Sequence, residues 1–347
     1  MGLLKFLGYL IKHLVVFTVI VGLILAVSVI LNVFGPPQFI YSDTSWEDTV
    51  PYVPDTTVKY DVLIDQHSHS KYSDGKLTIR QNIEWHMSLG FTVVVITDHN
   101  TMENAEDTKL LAEEYKNRCI VIQGMEWTTN RVHLSFIGLE EWDFKIPVNP
   151  TDEEIMQAID EVHRQNGTVT YNHPGYTRRT SKEPIPSYNL LMNWGVDFFE
   201  VINGLDFDEE SYAFALNNND SIGLVTGTDM HSPQKEDGGR VYAWTALNLT
   251  SFSEEAVMMA LRNHQTEIII NKFGIESHGD FKYNKFYDYL SPFYQIGGVL
   301  KNLYLYTDMH SSYSNRVILY VFLSYSALFF AVLETVSAFR RSLKYPK

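Results

Sequence analysis

The chain is 347 residues long and carries a formal net charge of −15, with 45% hydrophobic and 14% aromatic residues. This composition is typical of a folded core, and the acidic balance argues against a nucleic-acid partner, since phosphate contacts require clustered lysine and arginine. The single cysteine, Cys119, excludes an intramolecular disulfide framework. The length suits one large domain with appendages.

The first predicted element is a transmembrane helix. Residues 14–34 form an uncharged apolar run of 21 residues, long enough to cross a hydrocarbon core of about 30 Å. A signal peptide is the alternative, but its apolar region usually has about 7–15 residues and precedes a small-residue cleavage site. The following GPPQFIY offers no such site. We therefore expect an uncleaved anchor within residues 1–35.

A second apolar run, at 317–333, is shorter and contains two serines. It predicts a transmembrane helix over 316–336, with a buried or interfacial helix as the alternative. Basic residues near a span stay in the cytoplasm. Lys5 and Lys12 precede the first span, acidic residues follow it, and 337–347 is a basic tail. Both termini are therefore expected in the cytoplasm, and the intervening chain on the exoplasmic side (extracellular, periplasmic or lumenal), with the lipid bilayer as a partner.

Between the spans, four prolines predict an extended stalk over 36–58. A regular alternation of short apolar runs and helical patterns follows. The apolar runs predict strands at 61–65, 92–97, 119–124, 132–138, 168–172, 198–202 and 221–227. The helical patterns lie at 78–89, 103–118, 151–166, 208–219 and 253–264. Alternating strands and helices predict an α/β fold with a parallel sheet, and seven such strands a closed or nearly closed barrel over 59–270. The aromatic-rich segment 271–315 has no predicted role.

Histidine and carboxylate residues recur at or just after these strand ends. In barrels of this kind, chemistry gathers at the carboxyl ends of the strands. The candidates are His67, His69, Asp74, His99, Glu126, His133, His173, Asp229 and His231. Imidazole and carboxylate together favour zinc, manganese or iron over calcium or magnesium. One histidine at a strand end is commonly structural, but nine donors at one rim predict a metal centre.

The motifs HSHSKYSDG, ITDHNT, GMEWT, NHPG, EVING and GTDMHSP, in this order over about 61–265, resemble the PHP (polymerase and histidinol phosphatase) family of metallohydrolases. The resemblance implies a PHP-type distorted (β/α)7 barrel with two or three divalent ions (Zn, Mn or Fe) that hydrolyses phosphoesters. It implies three ligand sets. His67, His69, Glu126 and Asp229 would hold one metal, Asp74, His99 and His231 a second, and His133 and His173, with Glu126 bridging, a third.

Several other residues have specific predicted roles. Asp98 is a candidate for orienting a ligand imidazole, with a turn or helix-start role as the alternative. Arg178 and Arg179 are candidates for clamping a phosphate, with exposed loop arginines that have no fixed partner as the alternative. The TDMHS sequence recurs at 307–311, where we expect Asp308 and His310 to have no metal role. Three histidines within helical patterns are expected on solvated faces: His86, His163 and His264.

Three functions follow from these features. The first is a metal-dependent phosphoesterase that attacks a small phosphorylated substrate, a phosphomonoester or phosphodiester, with a metal-bound hydroxide. The second keeps the metal centre but cleaves carboxylic or carbamic esters, which would need an apolar acyl pocket and no arginine clamp. The third is a metal-holding, membrane-tethered module without catalysis, which the complete ligand set argues against.

Overall fold

The computed structural model describes residues 3–181, 183–234, 239–305 and 309–344. Two compact units make up the chain. One contains Met1–Ile40 and Tyr283–Lys347, and the other contains Tyr41–Lys282. Residues 41–58 of the predicted extended stalk, 36–58, belong to the second unit. Trp46 is buried there and Tyr52 stacks on Trp244, because aromatic side chains gain free energy by leaving water.

The unit built from the two ends of the chain is helical. It contains α1 (Leu3–Phe34), α9 (Lys285–Leu305) and α10 (Met309–Lys344). Two stretches are long and apolar enough to cross a membrane, Leu7–Phe34 and Leu319–Ser337. A polar contact joins α1 to α10, since His13 Nδ1 lies 2.6 Å from Glu334 Oε1. Asp308 and the side chain of His310 lie outside the described residues.

The other unit is built on a ten-stranded sheet. Its strands are β2 (Val62–Asp65), β3 (Val93–Ile96), β4 (Ile120–Thr128), β5 (His133–Ile137), β6 (Thr168–Tyr171), β7 (Phe198–Asn203), β8 (Asp206–Phe207), β9 (Gly223–Gly227), β10 (Arg240–Leu247) and β11 (Glu267–Glu276). They are ordered β11-β10-β2-β3-β4-β5-β6-β7-β8, with β9 beside β7. Two further strands, β1 (Phe39–Tyr41) and β12 (Phe281–Tyr283), pair with each other in a separate sheet.

The sheet is curled into a half-barrel. All seven predicted strands are present. β2, β3, β5 and β6 are completely buried, and the continuous Val and Ile run of β3 is typical of such a strand. The predicted parallel sheet is parallel at four strand pairs, and it departs from the prediction at β5 and β10. β5 runs antiparallel to both neighbours, and β10 antiparallel to β2. A tight connection of a few residues between β4 and β5 forces this reversal, since a parallel neighbour requires a long crossover.

Helices cover the sheet. They are α2 (Ile79–Ser88), α3 (Ala105–Tyr115), α4 (Asp152–Arg164), α5 (Pro174–Thr180), α6 (Tyr188–Asn193), α7 (Glu209–Asn217) and α8 (Glu254–Arg262). The predicted capping box at Thr151 and Glu154 is confirmed, and Thr78 with Gln81 forms another. Such reciprocal bonds satisfy backbone N–H groups that the first helical turn leaves unpaired. After α2, Gly90 adopts φ +91°, a conformation that glycine takes without steric cost.

Candidate metal centre

The nine predicted ligands lie at one edge of the sheet. Most follow the carboxyl ends of parallel strands, as predicted from the order of elements. His133 is the first residue of β5, yet it reaches the same edge because β5 is antiparallel and pairs His133 with Thr128 at the end of β4. The structure thus brings all nine side chains together: His67, His69 and Asp74 after β2, His99 after β3, Glu126 in β4, His133 in β5, His173 after β6, and Asp229 and His231 after β9.

Glu126 is the centre of the cluster. Its side chain is fully buried, and its two oxygens approach five imidazoles. Oε1 lies 3.0 Å from a ring nitrogen of His133 and 3.3 Å from one of His173. Oε2 lies 2.7 Å from a ring nitrogen of His99 and 3.6 Å from one each of His67 and His69. A carboxylate between two groups of imidazoles has the geometry of a bridging ligand.

Asp229 provides a second carboxylate close to the first. Its Oδ1 lies 3.1 Å from His69 Nε2, 3.3 Å from His67 Nε2 and 3.5 Å from His231 Nδ1. Asp229 has φ +51°, a left-handed conformation that is strained for a residue with a Cβ. The turn after β9 therefore holds this carboxylate in place against a conformational cost.

The cluster is open on one side. Asp74 Oδ1 lies 3.3 Å from His231 Nε2 and 3.6 Å from His99 Nε2. The side chains of Asp74 and His231 are 34% and 30% exposed, whereas those of His67, His69 and Glu126 are fully buried. A small molecule would reach the site past Asp74 and His231.

The carboxylates and imidazoles shift each other's pKa values. Burial alone would lower the pKa of His231, but Asp229 and Asp74 raise it to about 10. Burial alone would raise the pKa of Glu126, but the surrounding imidazoles hold it well below its usual range. For His69, burial and the charges of neighbouring imidazoles lower the pKa. In the metal-free protein, protons on imidazoles thus offset the carboxylate charge, and a metal ion must compete with them.

The donors fit divalent cations. Three groups have ligand atoms within 4.8 Å of one another: His69, Asp74, His99 and His231; His67, His69 and Asp229; and His67, Glu126 and His173. Within the described part of the chain, buried Glu126 Oε2 receives no hydrogen bond of good geometry. Leaving a buried acceptor unsatisfied is costly, so this atom is suited to a cation. Mixed imidazole and carboxylate donors favour zinc, manganese or iron.

Comparison with known proteins identifies the family. The PHP domain model matches residues 65–289. The chain belongs to the PHP domain family. A crystal structure from Bacteroides vulgatus ATCC 8482, of a two-domain protein containing a predicted PHP-like metal-dependent phosphoesterase, is 21% identical. That match covers 71% of this chain and 74% of that one, with a TM-score of 0.51. At this identity it supports the fold alone.

Two further solved structures are more distant. One is a protein from Bifidobacterium adolescentis ATCC 15703, named by inference as a metal-dependent phosphoesterase. It is 17% identical over 58% of this chain and 96% of that chain, with a TM-score of 0.42. The other is an amidohydrolase from Chromobacterium violaceum with bound sulfate and no metal. It is 16% identical over 60% of this chain and 97% of that chain, with a TM-score of 0.39. A search of curated proteins found no significant match.

PHP domains bind divalent metals, but Asp98 of this PHP domain makes other contacts. It accepts hydrogen bonds from the backbone and hydroxyl of Ser70, from the Ser73 hydroxyl and from Asn104 Nδ2. Among the described residues, no imidazole bonds to Asp98. Its contacts therefore match the alternative expectation, a turn and helix-start role, since Asn104 directly precedes α3.

The two candidate phosphate-clamp arginines both have carboxylate partners. Arg178 makes a bidentate contact with Asp208, at 2.7 Å and 2.9 Å. Asp208 is buried and caps α7. Arg179 pairs with exposed Asp206, at 2.5 Å. The alternative of unpartnered loop arginines is therefore wrong, and phosphate binding by either residue stays a prediction.

Glu200 contributes to the site but was not predicted. It is 1% exposed and lies in the apolar FFEVI run, which predicts only a strand. Its Oε1 lies 3.0 Å from His67 Nδ1, and its Oε2 accepts the backbone N–H of His173 at 2.7 Å. A carboxylate on the far nitrogen of a ligand imidazole fixes its tautomer and orientation. Thr128 approaches His99 Nδ1 in a comparable way, with its hydroxyl at 2.7 Å.

The solvated position expected for His86 is wrong. Its side chain is completely buried under the site, where Nε2 lies 2.6 Å from Asp65 Oδ2. His163 is exposed and His264 is partly exposed, and His163 Nε2 lies 2.9 Å from Asp197 Oδ2. A helical pattern cannot distinguish His86 from His163, because the environment of each depends on which strand end its helix covers.

Proposed function

We propose that this PHP domain is a metal-dependent hydrolase of a small phosphomonoester or phosphodiester. The convergence of nine nitrogen and oxygen donors, with Glu126 between two groups of imidazoles, is the observation that carries the proposal. In sites of this kind, two or three divalent ions lower the pKa of water and offset charge on the reacting ester.

The side chains divide the remaining work. His67, His69 and Glu126 hold the buried side of the centre, and Glu200 keeps His67 Nε2 directed toward Glu126 and Asp229. Asp74 and His231, with their larger exposed fractions, bind at the open side, where the substrate enters. This arrangement needs no serine or cysteine nucleophile, which agrees with Cys119 being buried in the core.

Carboxylic or carbamic ester hydrolysis is the second candidate. The pairing of Arg178 with Asp208 and of Arg179 with Asp206 favours this second reaction, because both guanidinium groups already have a carboxylate partner before a substrate binds. A phosphoester would have to draw an arginine away from that partner, or be held by the metal ions alone.

We also propose that α1 and α10 anchor the hydrolase in a membrane. Support comes from the two apolar stretches, Leu7–Phe34 and Leu319–Ser337, and from the basic residues near the chain ends. From this charge bias we propose the exoplasmic side for the hydrolase unit, a location that favours substrates such as phosphorylated lipid headgroups.

The test is hydrolysis by the full-length protein in detergent, stripped by a chelator and reloaded with Zn²⁺, Mn²⁺ or Fe²⁺. Substrates are a generic phosphomonoester, a phosphodiester and a carboxylic ester. We expect metal-dependent cleavage of a phosphoester, its loss in Glu126→Gln, and its retention in Glu84→Gln, which changes a carboxylate bonded to Tyr115. Cleavage of the carboxylic ester alone would favour the second candidate. No hydrolysis with any metal would refute both.

A further inference from the structure

A buried histidine and aspartate lie directly beneath the metal centre. Asp65 and His86 are 1% and 0% exposed, and His86 Nε2 lies 2.6 Å from Asp65 Oδ2. The other ring nitrogen, Nδ1, lies 2.8 Å from the Asn82 carbonyl. Both nitrogens of His86 thus lie within hydrogen-bonding distance of an oxygen, and no aliphatic side chain can make these two contacts.

Asp65 connects this pair to two ligand-bearing loops. Its Oδ1 accepts the backbone N–H of His67 at 3.2 Å and that of Thr228 at 3.1 Å. Its Oδ2 also accepts the Thr228 hydroxyl at 2.5 Å. One carboxylate therefore holds both the start of the loop after β2 and the turn after β9. These two segments are distant in the sequence, and each carries predicted ligands.

His86 reaches the same loop by a second route. Asn82 lies one helical turn before it in α2 and donates from Nδ2 to the His69 carbonyl at 2.9 Å. The backbone completes the junction, since Asp229 N–H donates to His67 O at 2.9 Å and His69 N–H to Met230 O at 3.1 Å. The network therefore touches the backbone of His67 and His69, and of Thr228, which precedes the strained Asp229.

We propose that Asp65 and His86 are positioning residues, which fix the loop after β2 against the turn after β9 so that His67, His69 and Asp229 meet at ligating distance. This inference rests on the proposed metal centre. Without His86, Asp65 Oδ2 would keep only the Thr228 hydroxyl of its two partners, and the Thr228 turn would be free to relax from the left-handed conformation at Asp229. Weaker metal binding would follow, although no ligand is changed.

The chain offers a matched control in His163 and Asp197. His163 Nε2 lies 2.9 Å from Asp197 Oδ2, which also accepts the backbone N–H of Val169 at 2.7 Å. This pair also joins a helix to a strand. However, Asp197 precedes β7, at the amino end of the strand, whereas the predicted ligands lie at the carboxyl ends.

The experiment compares His86→Leu with His163→Leu in the full-length protein in detergent. Zn²⁺ affinity is measured by competition with a chromophoric chelator, the coordination geometry by the absorption spectrum of bound Co²⁺, and stability by thermal unfolding with a chelator present. We expect both variants to lose stability. Only His86→Leu should weaken Zn²⁺ binding, by about 10- to 100-fold, the usual effect of an outer-shell change, and alter the Co²⁺ spectrum.

Two further variants keep the test decisive. His86→Gln retains a donor to Asp65 and should recover part of the lost affinity. Thr228→Val removes only the hydroxyl contact and should weaken Zn²⁺ binding about tenfold, even if His86→Leu does not fold. If His86→Leu binds Zn²⁺ with wild-type affinity and gives the wild-type Co²⁺ spectrum, the inference is overturned while the metal centre stays intact. If His86→Leu does not fold, the same result in Thr228→Val overturns it. Absence of Zn²⁺ binding in the wild type would instead overturn the proposed function.

Discussion

Replacing Glu200 with glutamine tests whether its carboxylate fixes the tautomer of His67. The substitution keeps the shape of the side chain but turns one acceptor into a donor. If the amide nitrogen faces His67 Nδ1, 3.0 Å away in the wild type, the imidazole must carry its proton on Nε2, the atom that approaches Glu126 and Asp229. If the amide is turned round, it faces the His173 backbone N–H instead. The first orientation puts a proton on the nitrogen that would bind the metal, and the second places two donors against each other.

The expected magnitude follows from that conflict. Outer-shell substitutions cost about 10- to 100-fold in metal affinity, or about 1.4–2.7 kcal/mol. The affinity of Glu200→Gln for Zn²⁺ or Mn²⁺ is measured by competition with a chelator. The control is Glu84→Gln, because the wild-type Glu84 carboxylate accepts a hydrogen bond from the Tyr115 hydroxyl at 2.6 Å. The control should bind metal like the wild type. Wild-type affinity in Glu200→Gln as well would refute the tautomer argument.

Three other predictions concern the protonation of His231, the side of the membrane on which the hydrolase unit lies, and the roles of Arg178 and Arg179. The raised pKa of His231, about 10 against an ordinary 6.5, stabilises the metal-free fold below pH 6.5, and this contribution is lost as the pH rises to about 10. The melting temperature should therefore fall over this range with chelator present and fall less with metal bound; parallel curves would contradict this. Val50→Cys, at a site 85% exposed, should react with an impermeant maleimide on intact cells, without background from buried Cys119; labelling only after permeabilisation would place this unit in the cytoplasm. Arg178→Ala should lower the free energy of unfolding by about 2 kcal/mol, measured in urea, because a buried carboxylate loses its partner; no change would contradict this. If Arg178→Ala with Arg179→Ala cleaves phosphoesters at the wild-type rate, the clamp prediction fails.

The order of strands and helices was predictable from the sequence because buried strands read as continuous runs of Val and Ile. The positions of the histidines and carboxylates were predictable for the same reason. Predicted ligands such as His99 and Asp229 come shortly after apolar runs, so the end of the strand determines their place. Local periodicity predicts only that these donors lie at one edge of the sheet. The resemblance to the PHP family then assigned them to three ligand sets.

Other features depend on contacts between distant segments, which periodicity does not record. The reversal of β5 and the packing of 41–58 on the sheet are of this kind. Glu200 looks like one polar residue within a strand, and His86 like one polar residue on a helix. Each becomes informative only when the fold places it against His67 or Asp65. Residues that support the predicted ligands were therefore missed, although the sequence predicted that the nine candidate side chains lie at one edge.

The most direct test of the metal centre is the metal content of the purified full-length protein, determined by elemental mass spectrometry for the wild type and for Glu126→Ala. Glu126 approaches five imidazoles, so its removal should release ions from both sides of the cluster. We predict at least two divalent ions per wild-type chain and a loss of bound metal in the variant. A wild type without stoichiometric metal, or a variant with unchanged content, would contradict the account.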